Sequence, residues 1–164
     1  MTATFTRSAN AHGEAAVGQT VEWYTPPSIF EALGLTFDLD PASPGADIVS
    51  WIPAAGHITL TDNGLWREWY GRVWLNPPYG PSAPDFLKRL VEHRHGIALV
   101  FSRTETQWWH DTAPKADAVC FIEGRVSFIR ADGFTAPSQM GSALIAFGED
   151  CAAAVRQSGL GWCP

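Results

Sequence analysis

The sequence predicts an α/β protein with a mostly parallel sheet and a C-terminal antiparallel hairpin. Three observations carry this. Arg72 to Leu75, Ala83 to His95 and Ile97 to Phe101 read as strand, helix and strand within about thirty residues, the signature of a right-handed βαβ crossover and hence of parallel strands. Ala118 to Ile122 and Arg125 to Ile129, separated only by Glu123-Gly124, read as a hairpin. At 164 residues, 46% apolar and 17% charged, the chain has the composition of one globular domain, which excludes both disorder and two large modules.

In chain order, residues 1–20 hold Arg7 and no apolar run, so they are expected to form a flexible polar arm and not a signal peptide. A single domain over 21–158 and a short tail over 159–164 complete the expected organisation. Pro26 and Pro27 at the first turn and Gly34 past the last predict a short helix through Ile29-Phe30-Glu31-Ala32-Leu33. Thr36 to Leu39 alternates as a brief strand, and the prolines and glycines that follow make 40–63 mostly loop. Arg72 to Leu75 is a buried strand that must stop at Asn76-Pro77-Pro78, because proline has no N–H for a ladder. Phe86, Leu87, Leu90 and Val91 fall at helical spacing, with Gly96 as the expected stop. Thr106 to Ala113 reads as a further helix, Ser142 to Phe147 as a further strand, and Asp150 to Gln157 as the last helix.

The formal charge is −6, from 11 Lys plus Arg against 17 Asp plus Glu. A protein that holds nucleic acid mainly through phosphate attraction is usually basic, so any such contact here must be local. The longest purely apolar stretch, Ile97 to Phe101, falls far below the roughly 18 residues needed to span a bilayer. No membrane partner is expected, and the expected location is the cytoplasm. Cys120, Cys151 and Cys163 are odd in number and lack metal-ligand spacing, so they read as reduced thiols. His93 and His95, at i and i+2, do not face each other on a helix, and no metal is expected.

The chemistry concentrates in Asn76-Pro77-Pro78-Tyr79, because ligands of open α/β sheets bind at the carboxyl ends of the strands. The exocyclic amine of a base is a poor nucleophile, its lone pair being delocalised into the ring. The Asn76 side-chain oxygen and the Pro77 carbonyl can each accept one N–H of such an amine, which draws the nitrogen toward tetrahedral geometry and frees the lone pair. Pro77 and Pro78 stiffen the loop, so those oxygens are preorganised. Tyr79 offers a face for a base drawn from its stack, and Gly80 permits close backbone approach.

This motif resembles the D/N/S-P-P-Y/F/W motif of amino-group methyltransferases that use S-adenosylmethionine. Thr25-Pro26-Pro27 before an apolar helix resembles the T-P-P element upstream of the cofactor motif in one circular arrangement of N6-adenine methyltransferases. Phe37 to Gly45, reading F-D-L-D-P-A-S-P-G, resembles their strand ending in D-P-A-x-G-x-G. Thr61-Asp62-Asn63-Gly64-Leu65 with Trp69 is similar to the D-G-L plus W signature of compact phage-type DNA N6-adenine methyltransferases. Those enzymes also share W-x-T-P, here Trp23 to Pro26, and N-P-P-Y-G, here Asn76 to Gly80. The likeness spans residues 22 to 148.

The resemblance implies a compact, trimmed Rossmann-like methyltransferase fold with S-adenosylmethionine as cofactor and DNA as substrate, in a monomer or homodimer. It implies cofactor contacts from Trp23, Thr25, Pro26, Asp40, Pro41, Asp62 and Asn76. The helix after Thr25 would meet the cofactor carboxylate, Asp40 its amino or ribose end, and Asp62 its adenine amine. Asn76, Pro77, Pro78 and Tyr79 would hold the target adenine, with direct transfer to its N6 because no cysteine is suitably placed. Two departures stand out. Ser43-Pro44-Gly45-Ala46 lacks the second loop glycine, and the 36 residues from Asp40 to Asn76 are too few for two helix–strand pairs, so a trimmed sheet is expected.

Plainer readings stand beside these. Asp38 faces away from Asp40 and reads as a solvated or capping carboxylate. Trp66, Trp69 and Trp74 read as core. Arg103, and after it Arg125, are the candidate phosphate contacts, against the alternative of surface ion pairs; Trp108 is a candidate to flank the flipped base. For function, N5-glutamine protein and RNA methyltransferases share a similar motif, and the missing glycine motivates a degenerate nucleic-acid-binding module as the non-enzymatic alternative.

Overall fold

A computed structural model describes residues 22–164; the expected arm over 1–20 lies outside the described residues. Nine strands and four helices follow one another as α1 (Pro27–Leu33), β1 (Phe37–Asp40), β2 (Ala54–His57), β3 (Val73–Leu75), α2 (Ala83–His93), β4 (Gly96–Phe101), α3 (Gln107–Thr112), β5 (Ala118–Ile122), β6 (Ser127–Ile129), β7 (Thr135–Pro137), β8 (Ser142–Phe147), α4 (Glu149–Gln157) and β9 (Gly161–Trp162) among those residues. The central sheet has seven strands in the order β2-β1-β3-β4-β8-β5-β9. β2, β1, β3 and β4 are mutually parallel, and β5 runs the same way because it and β4 both pair antiparallel with β8. The mostly parallel α/β class holds, and β3–α2–β4 is the crossover unit that the spacing predicts.

Strand alternation divides the core into two layers. Trp74, Ile97, Leu99, Leu144 and Ala146 point toward α1 and α4, while Val73, Leu75, Ala98, Val100, Ala143 and Ile145 point toward α2 and α3. Each strand of the sheet's middle is therefore apolar on both faces, as a helix-covered sheet requires. Trp74 is fully buried, with the Phe30 ring edge-on at 4.6 Å and Phe37 at 5.5 Å. Trp69 is buried as expected, its Nε1 donating to Gly64 O at 2.8 Å. Trp66, by contrast, is 83% exposed, so its assignment to the core is corrected. It lies in a turn whose backbone is held by Arg89, which donates to the carbonyls of Leu65 and Arg67.

Two further expectations are corrected. Ala118–Ile122 does not form a hairpin with Arg125–Ile129. β5 lies between β8 and β9, and the hairpin is instead β6 with β7. Six-residue, fully buried β8 offers β5 a longer apolar ladder than three-residue β6 can. The stretch 40–63 is mostly loop as expected, and within it lies the unforeseen β2, whose Ala-Ala-Gly-His lacks the β-branched residues that mark strands but pairs with β1 from Phe37↔Ala54 to Asp40↔His57. Gly96 does not cap α2. Arg94 takes that place at φ 64°, and Gly96 starts β4, where any side chain would meet Val73 O at 2.4 Å.

The trimmed edge appears as expected: between β1 and β3 the chain supplies β2 and no helix. The expected tail contributes β9 to the sheet beside β5. At the end of the strands opposite the Asn76 loop, the Arg72 side chain donates to Thr36 O at 2.8 Å and to Asp150, which His95 also contacts, so it ties the starts of β1 and β3 to α4. Asp38 accepts the Arg72 N–H at 2.7 Å, consistent with its reading as a capping carboxylate. Cys120, Cys151 and Cys163 are free thiols. Among the described residues no helix is long and apolar enough to cross a membrane.

Candidate active site at the carboxyl edge of the sheet

β3 ends at Leu75 because Pro77 and Pro78 cannot extend its ladder, which releases Asn76 to Gly80 over the sheet edge. Asn76, Pro77, Pro78, Tyr79, Arg103 and Trp108 line one cavity of about 150 Å³. Four candidate catalytic residues and two of the three candidate nucleic-acid contacts are thus brought together. Asn76 Nδ2 donates to Trp23 O at 3.3 Å. A carbonyl only accepts, so this contact fixes which way the amide faces and leaves Oδ1 as the acceptor for a ligand. No donor among the described residues reaches that oxygen.

Tyr79 stacks on Phe101 with ring centroids 5.0 Å apart and planes 20° from parallel, yet 48% of the residue stays exposed. Desolvation raises its phenol above the ordinary value of 10.0, so it stays protonated at neutral pH. Phe101, unassigned from sequence, was signalled only by being the last residue of the neighbouring strand.

A second group gathers where β1 and β2 end. Asp40, only 3% exposed, receives the Ala42 N–H at 3.1 Å. Burial pushes its carboxyl up to about 7. Gly64 packs directly on Pro41, since any side chain there would lie 1.9 Å from Pro41 O, so the Asp62–Leu65 turn sits against the Asp40–Pro41 turn. Asp62 itself is more open, accepting from Thr59 Oγ1 at 2.9 Å and facing Arg67 at 3.6 Å.

Where the sequence lacks a second loop glycine, the structure supplies a polar chain. His57 Nε2 donates to Ala54 O at 3.1 Å, which leaves Nδ1 to accept from Ser43 Oγ at 2.7 Å. Ser43 Oγ in turn accepts the Gly45 N–H at 3.0 Å. His57, without a role from sequence alone, thus holds the turn after β1. Thr25 is fully buried; its carbonyl accepts Trp51 Nε1 at 2.9 Å, but its hydroxyl has no partner among the described residues. Such an orphaned hydroxyl costs about 1–3 kcal/mol unless something supplies a bond.

Pro26 caps α1, and with Ser28, Ile29 and Arg125 it borders a separate cavity of about 240 Å³. α1 is a weak anion seat: Pro27 has no N–H and Ile29 N–H is already given to Pro26 O at 3.2 Å. Arg103 pairs with Glu105 at 2.6 Å, the plainer of its two readings, whereas Arg125 lies away from the Asn76 cavity.

The buried Asp40 carboxyl and the Gly64–Pro41 contact that admits no side chain lie where β1 and β2 end, the Thr25 hydroxyl is buried with no partner among the described residues, and Asn76 to Gly80 line an aromatic cavity where β3 ends. No curated protein and no solved structure gives a significant match to this chain. A family model for DNA N-6-adenine-methyltransferase (Dam) matches residues 14–150, most of the chain, and so the chain belongs to the DNA N-6-adenine-methyltransferase family.

Proposed function

We propose that the protein transfers a methyl group from S-adenosylmethionine to the N6 amino group of an adenine swung out of DNA. The single observation that carries this is the amide of Asn76: Trp23 O takes its Nδ2, leaving Oδ1 turned to accept an amine in a cavity floored by Tyr79 and Phe101. Family membership supports the adenine amine and the DNA substrate.

When bound, S-adenosylmethionine supplies an electrophilic methyl group on a sulfonium. Asp40, Thr25 and Asp62 are the residues that would hold it, with Pro41 and Gly64 shaping their two turns and Trp23 and Pro26 forming the strap above. Burial of Asp40 with no counter-charge among the described residues suits it to a cationic ammonium. Asn76 Oδ1 and the Pro77 carbonyl each accept one N–H of the target amine, which localises the nitrogen lone pair. Both acceptors belong to a proline-stiffened loop, so little reorganisation accompanies the reaction. The Tyr79 ring supports the base, and Trp108 bounds the cavity on another side. None of the three cysteines lines that cavity, which favours direct transfer over a covalent enzyme adduct.

The test is mass-spectrometric assay of N6-methyladenine in unmethylated DNA incubated with protein and S-adenosylmethionine, with RNA and protein substrates in parallel. Asn76→Ala is expected to abolish DNA methylation while calorimetry shows cofactor binding retained. Methyl transfer to RNA or protein and not to DNA would refute the reading.

A further inference from the structure

We propose that Cys120 and Cys163 form a reversible disulfide with each other, a modification site at the edge of the sheet that pins β9 to β5 and stands independently of the proposed methyl transfer. Both are free thiols in the structure. β5 and β9 run antiparallel, with Phe121 opposite Trp162 and Ile122 opposite Gly161. Carried one residue further, that register sets Cys120 directly opposite Cys163. The phase of the ladder matters as much. The Glu123 N–H donates to Leu160 O at 2.9 Å, so residues 123 and 160 form a hydrogen-bonded pair. Such pairs alternate with non-hydrogen-bonded ones along an antiparallel ladder, which makes 122/161 and 120/163 non-hydrogen-bonded. Opposing Cα atoms at those positions stand about 4.5 Å apart with their side chains drawn together, inside the roughly 4.4–6.8 Å that a disulfide bridges. Gly161 shows the closeness: a methyl group there would lie 2.9 Å from Ile122 Cα.

Packing agrees with register. Cys120 is fully buried in the core layer that faces α1 and α4, and Cys163 is partly buried against that same layer. The two side chains therefore share one face of the sheet. On the other face, the Trp162 ring stacks on Phe121 at 5.7 Å with planes 24° apart, which holds the register. The sulfurs already interact: burial and a hydrogen bond with Cys163 push the Cys120 thiol up to about 12. Cys163 Sγ in turn donates to Val155 O at 3.7 Å. Cys151, the third thiol, lies on α4 with Asp150 and Arg72 as its charged neighbours.

The oxidant is a low-molecular-weight disulfide. Cys163, the more exposed of the two, attacks it as a thiolate, and the small S–S bond breaks with one small thiolate leaving. Cys120, having given up its proton, then attacks Cys163 Sγ of the mixed disulfide and expels the second small thiolate. Two protein thiols are oxidised to one S–S bond, one small disulfide is reduced to two thiols, and the two protein protons pass to those leaving groups. Excess small thiol runs the exchange backward. The link closes a loop from 120 to 163 that contains β6, β7, β8 and α4, so it removes freedom from the unfolded chain.

The experiment incubates the full chain with oxidised and reduced glutathione over a range of ratios, traps free thiols by alkylation in denaturant, and reads intact mass, peptide maps and Tm. Wild type is expected to become lighter by two hydrogens, with Cys151 alone alkylated, a linked Cys120–Cys163 peptide pair, and Tm higher by roughly 5–10 °C. Dithiothreitol should reverse all of these changes. Cys151→Ala should form the same link. Cys120→Ala should stop at one glutathione on Cys163, and Cys163→Ser should stay unmodified. The proposal is overturned by wild type that keeps three alkylatable thiols at every ratio, that retains glutathione as stably as Cys120→Ala does, or that links through Cys151 or between chains. A link that forms while Tm stays level or falls would overturn the pinning of β9 to β5.

Discussion

Replacing Asp40 by Asn is expected to stabilise the free protein at alkaline pH while weakening its hold on S-adenosylmethionine. Asp40 is 3% exposed and receives one backbone N–H, from Ala42. Burial raises its carboxyl from 3.8 to about 7. Between those values the folded state keeps a proton that the unfolded chain has released, so wild-type stability falls as pH climbs through this window and levels off above it. At about 1.36 kcal/mol for each pH unit, the whole rise corresponds to about 4 kcal/mol. The neutral amide escapes that cost and still accepts from Ala42. Urea denaturation should therefore find the variant more stable by up to about 4 kcal/mol at pH 8 and by only about 0.5 kcal/mol near pH 4. Calorimetry should find wild-type cofactor affinity climbing toward pH 7, as the ionised carboxylate becomes available, and a flat profile in the variant. A variant less stable than wild type at pH 8, or a stability gap that does not widen with pH, would refute the argument.

Other outcomes follow from specific contacts. Asn76→Asp keeps an acceptor but has no N–H for Trp23 O, so methylation should fall between wild type and Asn76→Ala when initial rates are compared. Gly64→Ala forces a methyl group to 1.9 Å from Pro41 O, and should cost about 3 kcal/mol or more in denaturant while reducing cofactor affinity. Trp66→Ala, at an 83% exposed position, should change unfolding free energy by no more than about 0.5 kcal/mol, whereas Trp74→Ala in the core should cost about 3–5 kcal/mol in the same assay.

What the sequence revealed and what it hid divides along physical lines. The strand–helix–strand unit around α2 was legible because Phe86, Leu87 and Leu90 are held by the sheet beneath them, so local pattern and tertiary packing agree. The Asn76–Tyr79 site was legible because two prolines leave the backbone few choices. β2 was hidden because Ala54–His57 is a strand only by virtue of pairing with β1. The wrong hairpin arose from adjacency: Glu123-Gly124 permits a tight turn, but β8, more than a dozen residues further on, buries more of β5. Trp66 misled because indole size argues for burial, while the turn that carries it is fixed by backbone bonds from Arg89 and not by its own packing. Residues acting through space alone, His57 behind Ser43 and Phe101 under Tyr79, carry no local signal.

The bond from Asn76 to Trp23 has an evolutionary corollary. The partner that aims the amide is a peptide carbonyl, and every amino acid has one, so no point substitution at position 23 can delete it. Drift there can alter only how firmly the strap is seated, through the indole's packing near Phe134 at 6.4 Å. Homologues that have lost the tryptophan are therefore expected to keep the same amide orientation wherever another side chain anchors the strap, and diversification of this segment can proceed without disarming the asparagine.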